Sequence, residues 1–337
     1  MALPSHPSDR LPVGLCVYGL TYACGLAWAE TPRANCRPLT AREVIDRAAE
    51  DRLSWVELPP RLLGDTSAPA LHALRGYAEE RGIRFVVAGG CVPDGDLLTE
   101  LRIAAELGAP TLRCMLSRVL CGDRRAVEGG WSAYMERCAR DLGRVLPEAE
   151  RLGIAIAVEN HQDADSADLL ALCQLFESEY LGVTLDTGNP LSVMEEPLEF
   201  ARRLAPYLRH AHLKDYRIHH APNGYRLVRC AMGEGVIPFP ALFELFDAQA
   251  WPITRNIEMA ALNARLIPIF EPGWWDHLGG RDARQAMRPL QIVWNHLRPM
   301  DEDWRTPFER ESPEELAEYE WEQHRKTVEY LRLMFAT

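Results

Sequence analysis

The chain has 337 residues, 37 Lys+Arg against 49 Asp+Glu for a formal charge of −12, and a hydrophobic fraction of 47%. This acidic balance, without a long Lys/Arg block, excludes a protein that works through phosphate contacts to nucleic acid. The composition excludes disordered and collagen-like classes, and no apolar run approaches the roughly 20 residues of a helical membrane span.

Residues 1–10 (MALPSHPSDR) are Pro/Ser-rich and lack the basic start and apolar stretch of a secretory leader, so they read as a flexible tail. From there, short apolar or β-branched runs alternate with longer amphipathic stretches. The predicted strands are 13–18, 54–58, 83–88, 110–117, 154–160, 181–186, 208–214 and 253–259. Predicted helices include 40–52, opened by the S/T-x-x-E spacing of Thr40 and Glu43, and 131–152, 166–179, 197–205, 240–248 and 312–334. Eight strand–helix alternations predict a single (β/α)8 TIM barrel over 11–337, an α/β fold.

The surplus length sits in a loop at 216–239, after strand seven, and in a 260–311 insertion after strand eight. Both follow strand C-termini, the active-site face of a barrel, so they are expected to build pocket walls, a lid or a homo-oligomer contact. Trp251, Trp274, Trp275, Trp294 and Trp304 make this stretch too aromatic for a solvated linker. The rival architecture, a doubly wound sheet, needs G-x-G-x-x-G at the first strand–helix turn. Residues 14–25 (GLCVYGLTYACG) do not supply it, which disfavours a nicotinamide dehydrogenase. Nine cysteines with no C-x-x-C pair read as reduced thiols of a cytoplasmic protein.

Alternate strand residues face opposite sides, so parity selects the side chains that enter the barrel. Ala155, Ala157, Glu159 and His161 oppose the bulky Ile154, Ile156 and Val158; Gly182, Thr184 and Asp186 oppose Val183 and Leu185. His210, His212 and Lys214 share the inward face of strand seven, and Thr254, Asn256 and Glu258 that of strand eight. Carboxylates crowded in a half-buried cup repel unless a cation neutralises them. One divalent ion held by Glu159, Asp186, His212 and Glu258 meets that need. The ligand set favours Mn2+, Mg2+ or Co2+, with Zn2+ an alternative.

Val158-Glu159-Asn160-His161, Leu185-Asp186-Thr187-Gly188-Asn189, His210-Ala211-His212-Leu213-Lys214-Asp215, Gly233-Glu234-Gly235 and Asn256-Ile257-Glu258 resemble the xylose isomerase-like barrel superfamily. That group includes ketose 3-epimerases, hydroxypyruvate isomerase, inosose dehydratase and endonuclease IV. The resemblance implies the same four metal ligands and a sugar isomerase or epimerase in which Glu159 and Glu258 exchange the proton next to a carbonyl. His161 is a further acid/base candidate. Asn189 stands where many ketose epimerases have a histidine, and an amide cannot shuttle a proton.

Arg113, Arg118, Lys214 and Arg217 form a cationic set that suits an anionic sugar acid, unless Lys214 pairs with Asp215 and Arg118 with Asp123. Tyr18, Glu57, Arg113, Asn189, Lys214 and Arg217 are the expected substrate contacts. The chain also resembles 3-oxo-isoapionate decarboxylases, which makes decarboxylation or elimination from an oxidised sugar the competing outcome. A phosphodiesterase of the endonuclease IV type would need more histidine ligands and a basic surface, and a non-catalytic barrel would have a broken ligand set.

Overall fold

The computed structural model describes residues 10–93, 95–259, 262–278 and 282–336. The tail expected at 1–10 therefore lies outside the described residues except for Arg10, which donates to the Leu53 carbonyl at 2.7 Å. In chain order the strands are β1 (Gly14–Cys16), β2 (Trp55–Leu58), β3 (Arg84–Cys91), β4 (Thr111–Met115), β5 (Ala155–Glu159), β6 (Leu181–Asp186), β7 (Leu208–Leu213), β8 (Asp215–Ala221), β9 (Gly224–Cys230), β10 (Thr254–Ile257) and β11 (Arg265–Ile267). Eight of them close a parallel barrel in the order β1-β10-β7-β6-β5-β4-β3-β2, as the alternation predicts.

Helices α1 (Ala41–Glu50), α2 (Ala68–Glu79), α3 (Leu97–Leu107), α4 (Trp131–Leu152), α5 (Ser166–Phe176), α6 (Pro197–Leu204) and α7 (Phe239–Asp247) connect successive barrel strands. Local chemistry sets their ends. Thr40 and Glu43 form the expected capping box on α1, Asp165 and Asp168 form another on α5, and left-handed Gly108 and Gly153 terminate α3 and α4. Ile156, Val158, Val183 and Leu185 are buried beneath the helices, which leaves the acids of the opposite parity to enter the barrel.

Register decides how those acids meet. Asp186 pairs with His212, and His212 with Asn256, so Glu258 follows two residues later on the same face. Glu159 pairs with Thr184, two residues before Asp186. All four expected ligands consequently reach one rim.

The stretch expected as a loop at 216–239 is largely a β-hairpin. β8 and β9 pair antiparallel over their full length, and β11 adds to β9, giving a three-stranded sheet outside the barrel. The period-two pattern of Tyr216-Arg217-Ile218-His219 carries this strand signal. Asp215 holds the base of the hairpin by accepting from the backbone N–H groups of Tyr216, Gly233, Gly235 and Ile237 at 2.9–3.1 Å. A Cβ at Gly235 would fall 2.2 Å from Asp215 Oδ1, which explains glycine in the Gly233-Glu234-Gly235 turn.

Past β10, α8 (Ala283–His296) and α9 (Pro313–Phe335) complete the chain. Trp274 is fully buried and donates to the Cys121 carbonyl at 2.9 Å, whereas Trp294 is 73% exposed. All nine cysteines are free thiols. Among the described residues no helix is long and apolar enough to cross a membrane.

The buried Glu320 of α9 accepts from Thr21 Oγ1 at 2.7 Å, Tyr22 N at 2.7 Å and Ala23 N at 3.0 Å, and so ties the last helix to the loop after β1. Burial pushes its carboxyl up to about 7, against the pull of those donors. The folded protein therefore binds a proton that the unfolded chain releases near 4.5, so this group lowers stability as pH rises from 4.5 to 7. E320Q turns an amide N–H toward a backbone donor and is expected to cost about 1–3 kcal/mol. Its Tm should also vary less with pH across that window than the wild type's; parallel Tm–pH profiles by calorimetry would refute the assignment.

Candidate metal centre and active site

The C-terminal end of the barrel opens into a cavity of about 570 Å³, a size typical of small-molecule sites. Its lining includes Tyr18 after β1, the Gly89-Gly90 bulge of β3, Arg113 and Met115 of β4, Glu159 and His161 at the end of β5, and Lys214 and Glu258 after β7 and β10.

Glu159, Asp186, His212 and Glu258 each offer one ligand atom within 4.8 Å of the others, and all four are buried. His212 Nδ1 and Glu258 Oε2 lie 2.7 Å apart, yet neither has a hydrogen-bond partner of acceptable geometry. Two buried polar atoms that face one point without bonding each other fit a shared cation. Without an ion, burial opposes charge on the His212 imidazole, but Glu57 and Glu258 outweigh it and hold the group well above its ordinary range, so it carries a proton that metal ligation would displace.

Glu57 is fully buried in the barrel centre. Its Oε2 receives His210 Nε2 at 3.0 Å, His212 Nε2 at 2.8 Å and Asn256 Nδ2 at 3.1 Å, and its Oε1 receives Arg113 Nε at 3.1 Å. It thus lies below the cavity and does not line it. Binding His212 through Nε2–H leaves the Nδ1 lone pair directed at the ligand cluster, the carboxylate–histidine arrangement that orients metal ligands. Burial opposes ionisation of Glu57, but His212 and His210 outweigh it and hold the carboxyl well below its ordinary range.

Lys214 contacts Asp186 and lies 3.2 Å from Glu258 Oε1, so the alternative pairing with Asp215 is not formed. Burial pushes the Asp186 carboxyl up to about 7 despite Lys214. For Glu258, burial again works against charge, but Lys214 and His212 prevail and hold it below the carboxylate range. His161 is pushed down to about 4 by burial, and its Nδ1 is buried without a partner.

Two other expected substrate contacts lie elsewhere. Asn189 spends its amide on the Asn160 and His161 carbonyls and on Asp186 Oδ2 at 2.7 Å, while its Oδ1 accepts from Tyr216 Oη at 3.1 Å. It positions Asp186 and is absent from the cavity lining. Arg217 points away on the outer face of β8 and pairs with Glu234, because strand alternation turns it opposite to Tyr216. The exposed Arg118 does line the cavity, and Asp123 pairs with Arg125 instead. Sequence reasoning missed Arg61, Glu100, Arg229 and Arg265 in the lining. The alternation within 225–230 would have signalled Arg229 had that stretch been read as a strand.

The chain belongs to the xylose isomerase-like TIM barrel family, whose sequence profile matches residues 45–266. An uncharacterised protein of Escherichia coli (strain K12), YihM, is 30% identical over 205 residues; the match covers 59% of this chain and 60% of that protein, less than two thirds of its length. A 3-oxo-isoapionate decarboxylase of Pectobacterium atrosepticum is 25% identical over 240 residues, 70% of this chain and 81% of the relative. Among solved structures, a xylose isomerase-like TIM barrel protein from Mycobacterium smegmatis in complex with magnesium superposes with a TM-score of 0.55 at 14% identity, covering 86% of this chain and 99% of that one. The 3-keto-D-glucoside 4-epimerase YcjR from E. coli gives 0.53 at 14% identity, with 77% and 95% covered. At such identities the likeness is one of fold.

E57Q should leave the circular dichroism spectrum unchanged and lower the affinity for Mn2+ by about 10–100-fold in calorimetry, the usual cost of losing a ligand-orienting carboxylate. Wild-type affinity in a folded E57Q protein would refute the orienting role.

Proposed function

We propose that this chain is a divalent-metal-dependent enzyme that forms an enediolate from a small keto sugar or sugar acid, with isomerisation or epimerisation as the outcome. The observation that carries this reading is the convergence of Glu159, Asp186, His212 and Glu258 at the floor of a cavity. Those residues would hold the ion, and the oxygen-rich set favours Mn2+, Mg2+ or Co2+ over Zn2+. When bound, it supplies Lewis acidity that acidifies the C–H beside a carbonyl and offsets enediolate charge.

Glu159 and Glu258 rise from β5 and from the end of β10, which two other strands separate in the barrel. One carboxylate is placed to remove a proton from one face of a substrate and the other to return it to the opposite face. Lys214 and His212 keep Glu258 in the carboxylate form that a base requires, at the cost of basicity. Arg113 Nη1 is buried without a partner beside the cavity and can donate to a substrate oxygen, and the neutral His161 can accept from a hydroxyl. Tyr18 offers its ring and hydroxyl at the same wall.

A second reading, decarboxylation of a 3-oxo sugar acid, is favoured by the cationic lining. Arg61, Arg113, Arg118, Lys214, Arg229 and Arg265 face Glu100, Glu159 and Glu258 across the cavity. Loss of CO2 from a β-keto acid leaves the same type of enediolate as loss of a proton, so both outcomes use one site. The likeness to the 3-oxo-isoapionate decarboxylase supports this second reading.

Incubation in D2O with a panel of ketoses and 3-oxo sugar acids separates them. Solvent deuterium in recovered substrate or product without carbon loss is expected for isomerisation, and stoichiometric CO2 release replaces that outcome with decarboxylation. E159Q and E258Q should each lower turnover by about 10²–10⁴-fold. A wild-type protein that retains no divalent ion and catalyses no exchange, with E258Q indistinguishable from it, would refute the enzyme reading.

A further inference from the structure

The inserted sheet turns toward the barrel a face that carries two arginines without counter-ions. Tyr216 lies opposite Arg229, Ile218 opposite Leu227, and Arg265 opposite Leu227 on the other side. These five residues share one face, and Arg229 and Arg265 are diagonal neighbours on it. The outer face differs: there Arg217 meets Glu234, and Arg226 lies 4.2 Å from the Trp304 ring centroid.

Arg229 and Arg265 are 6% and 7% exposed, and both line the cavity above the ligand cluster. Arg229 Nη1 donates to the Asn263 carbonyl at 3.2 Å, and Arg265 Nη1 donates to Asn263 Oδ1 at 3.0 Å. Both Nε atoms are buried with no partner, and among the described residues neither guanidinium forms an ion pair. Burial and the neighbouring Arg229 push Arg265 down to about 10, which leaves it charged at neutral pH. Glu258 acts on Arg265 only across the cavity, and two adjacent buried cations with no directly paired anion are a standing cost to the fold. A guanidinium edge, with its Nε–H and an Nη–H side by side, matches the two oxygens of a carboxylate or phosphate.

We propose that Arg229 and Arg265 form an anion pocket that takes the carboxylate or phosphate of the substrate while its carbonyl end faces Glu159 and Glu258. The substrate assignment rests on the keto-sugar reading above; the anion pocket itself rests on the inserted sheet. On this proposal the barrel supplies the chemistry and the inserted sheet selects an acidic substrate.

The test is calorimetric titration of the full-length chain with gluconate, glucitol 6-phosphate and neutral glucitol, in the presence of Mn2+ and at constant ionic strength. The wild type is expected to bind at least one anionic probe at least tenfold more tightly than glucitol; preference for gluconate marks a carboxylate pocket, and preference for the phosphate ester a phosphate pocket. R229Q and R265Q should each remove that preference, with Mn2+ affinity unchanged as the control for folding, and R265K should restore part of it. Equal binding of all three probes, binding of none, or R229Q and R265Q proteins that hold Mn2+ normally and keep the anion preference would overturn the proposal. Should both glutamine variants fail to bind Mn2+, R229K and R265K replace them, and an anion preference in both lysine variants undiminished from the wild type would overturn the proposal. A wild type that prefers anions yet binds no Mn2+ would refute the metal-enediolate reading while leaving the anion pocket standing.

Discussion

Burial of like charge at one end of a closed barrel is the constraint on which the rest of this structure depends. Four carboxylates, Glu57, Glu159, Asp186 and Glu258, lie in a region almost without solvent. They persist because each is met by a fixed cation, an imidazole or an amide. Arg113 bridges Glu57 and Glu159, Lys214 bridges Asp186 and Glu258, and His210, His212 and Asn256 converge on Glu57. Both oxygens of Glu57 are bonded, whereas His212 Nδ1 and Glu258 Oε2 are among the buried polar atoms left without a hydrogen-bond partner.

The same division runs through the molecule at a larger scale. The parallel barrel has its edges closed by strand pairing, so its inward residues are held in register and can carry a charge cluster with little freedom to rearrange. The β8-β9-β11 sheet lies outside that closure. It is fastened at its base by the four backbone donors on Asp215 and, beside it, by Gln323 and Thr327 of α9, which accept from Ala231 N and Met232 N. Its inner face can therefore vary without disturbing the carboxylate–histidine cluster, a separation that suits the selective role proposed for it more than the proposed chemical step.

Much of the fold, and the inward placement of Glu159, Asp186, His212 and Glu258, was legible in the chain itself, because local pattern encodes both. Strand parity requires only knowledge of which neighbours are bulky, and Ile156, Val158, Val183 and Leu185 identify the outward face clearly enough to turn Glu159 and Asp186 inward. The substrate contacts were less legible. Asn189 and Glu57 have the right chemistry and fall near the right strands, but their polar atoms are consumed by Asp186 and by the histidines. Whether a side chain is free depends on its partners, which for Glu57 lie more than a hundred residues away and for Asn189 include residues 27–29 positions away on neighbouring strands, and local pattern does not encode either. Arg217 failed for a different reason: reading 216–239 as a loop gave no parity, and parity is what sends Arg217 outward and Arg229 inward.

The sequence by itself determined the alternation of eight strands and their helices, the caps that bound them and the inward parity of the acids, since each follows from residues within a few positions of one another. Only the tertiary structure decided the rest. Closure brought strands distant in sequence into register, which placed Glu159, Asp186, His212 and Glu258 within 4.8 Å of one another. Pairing of β11 with β9 set Arg265 beside Arg229 over the cavity. Both outcomes depend on contacts between segments far apart in the chain, and the energy of a buried charge is set by what those contacts bring near it.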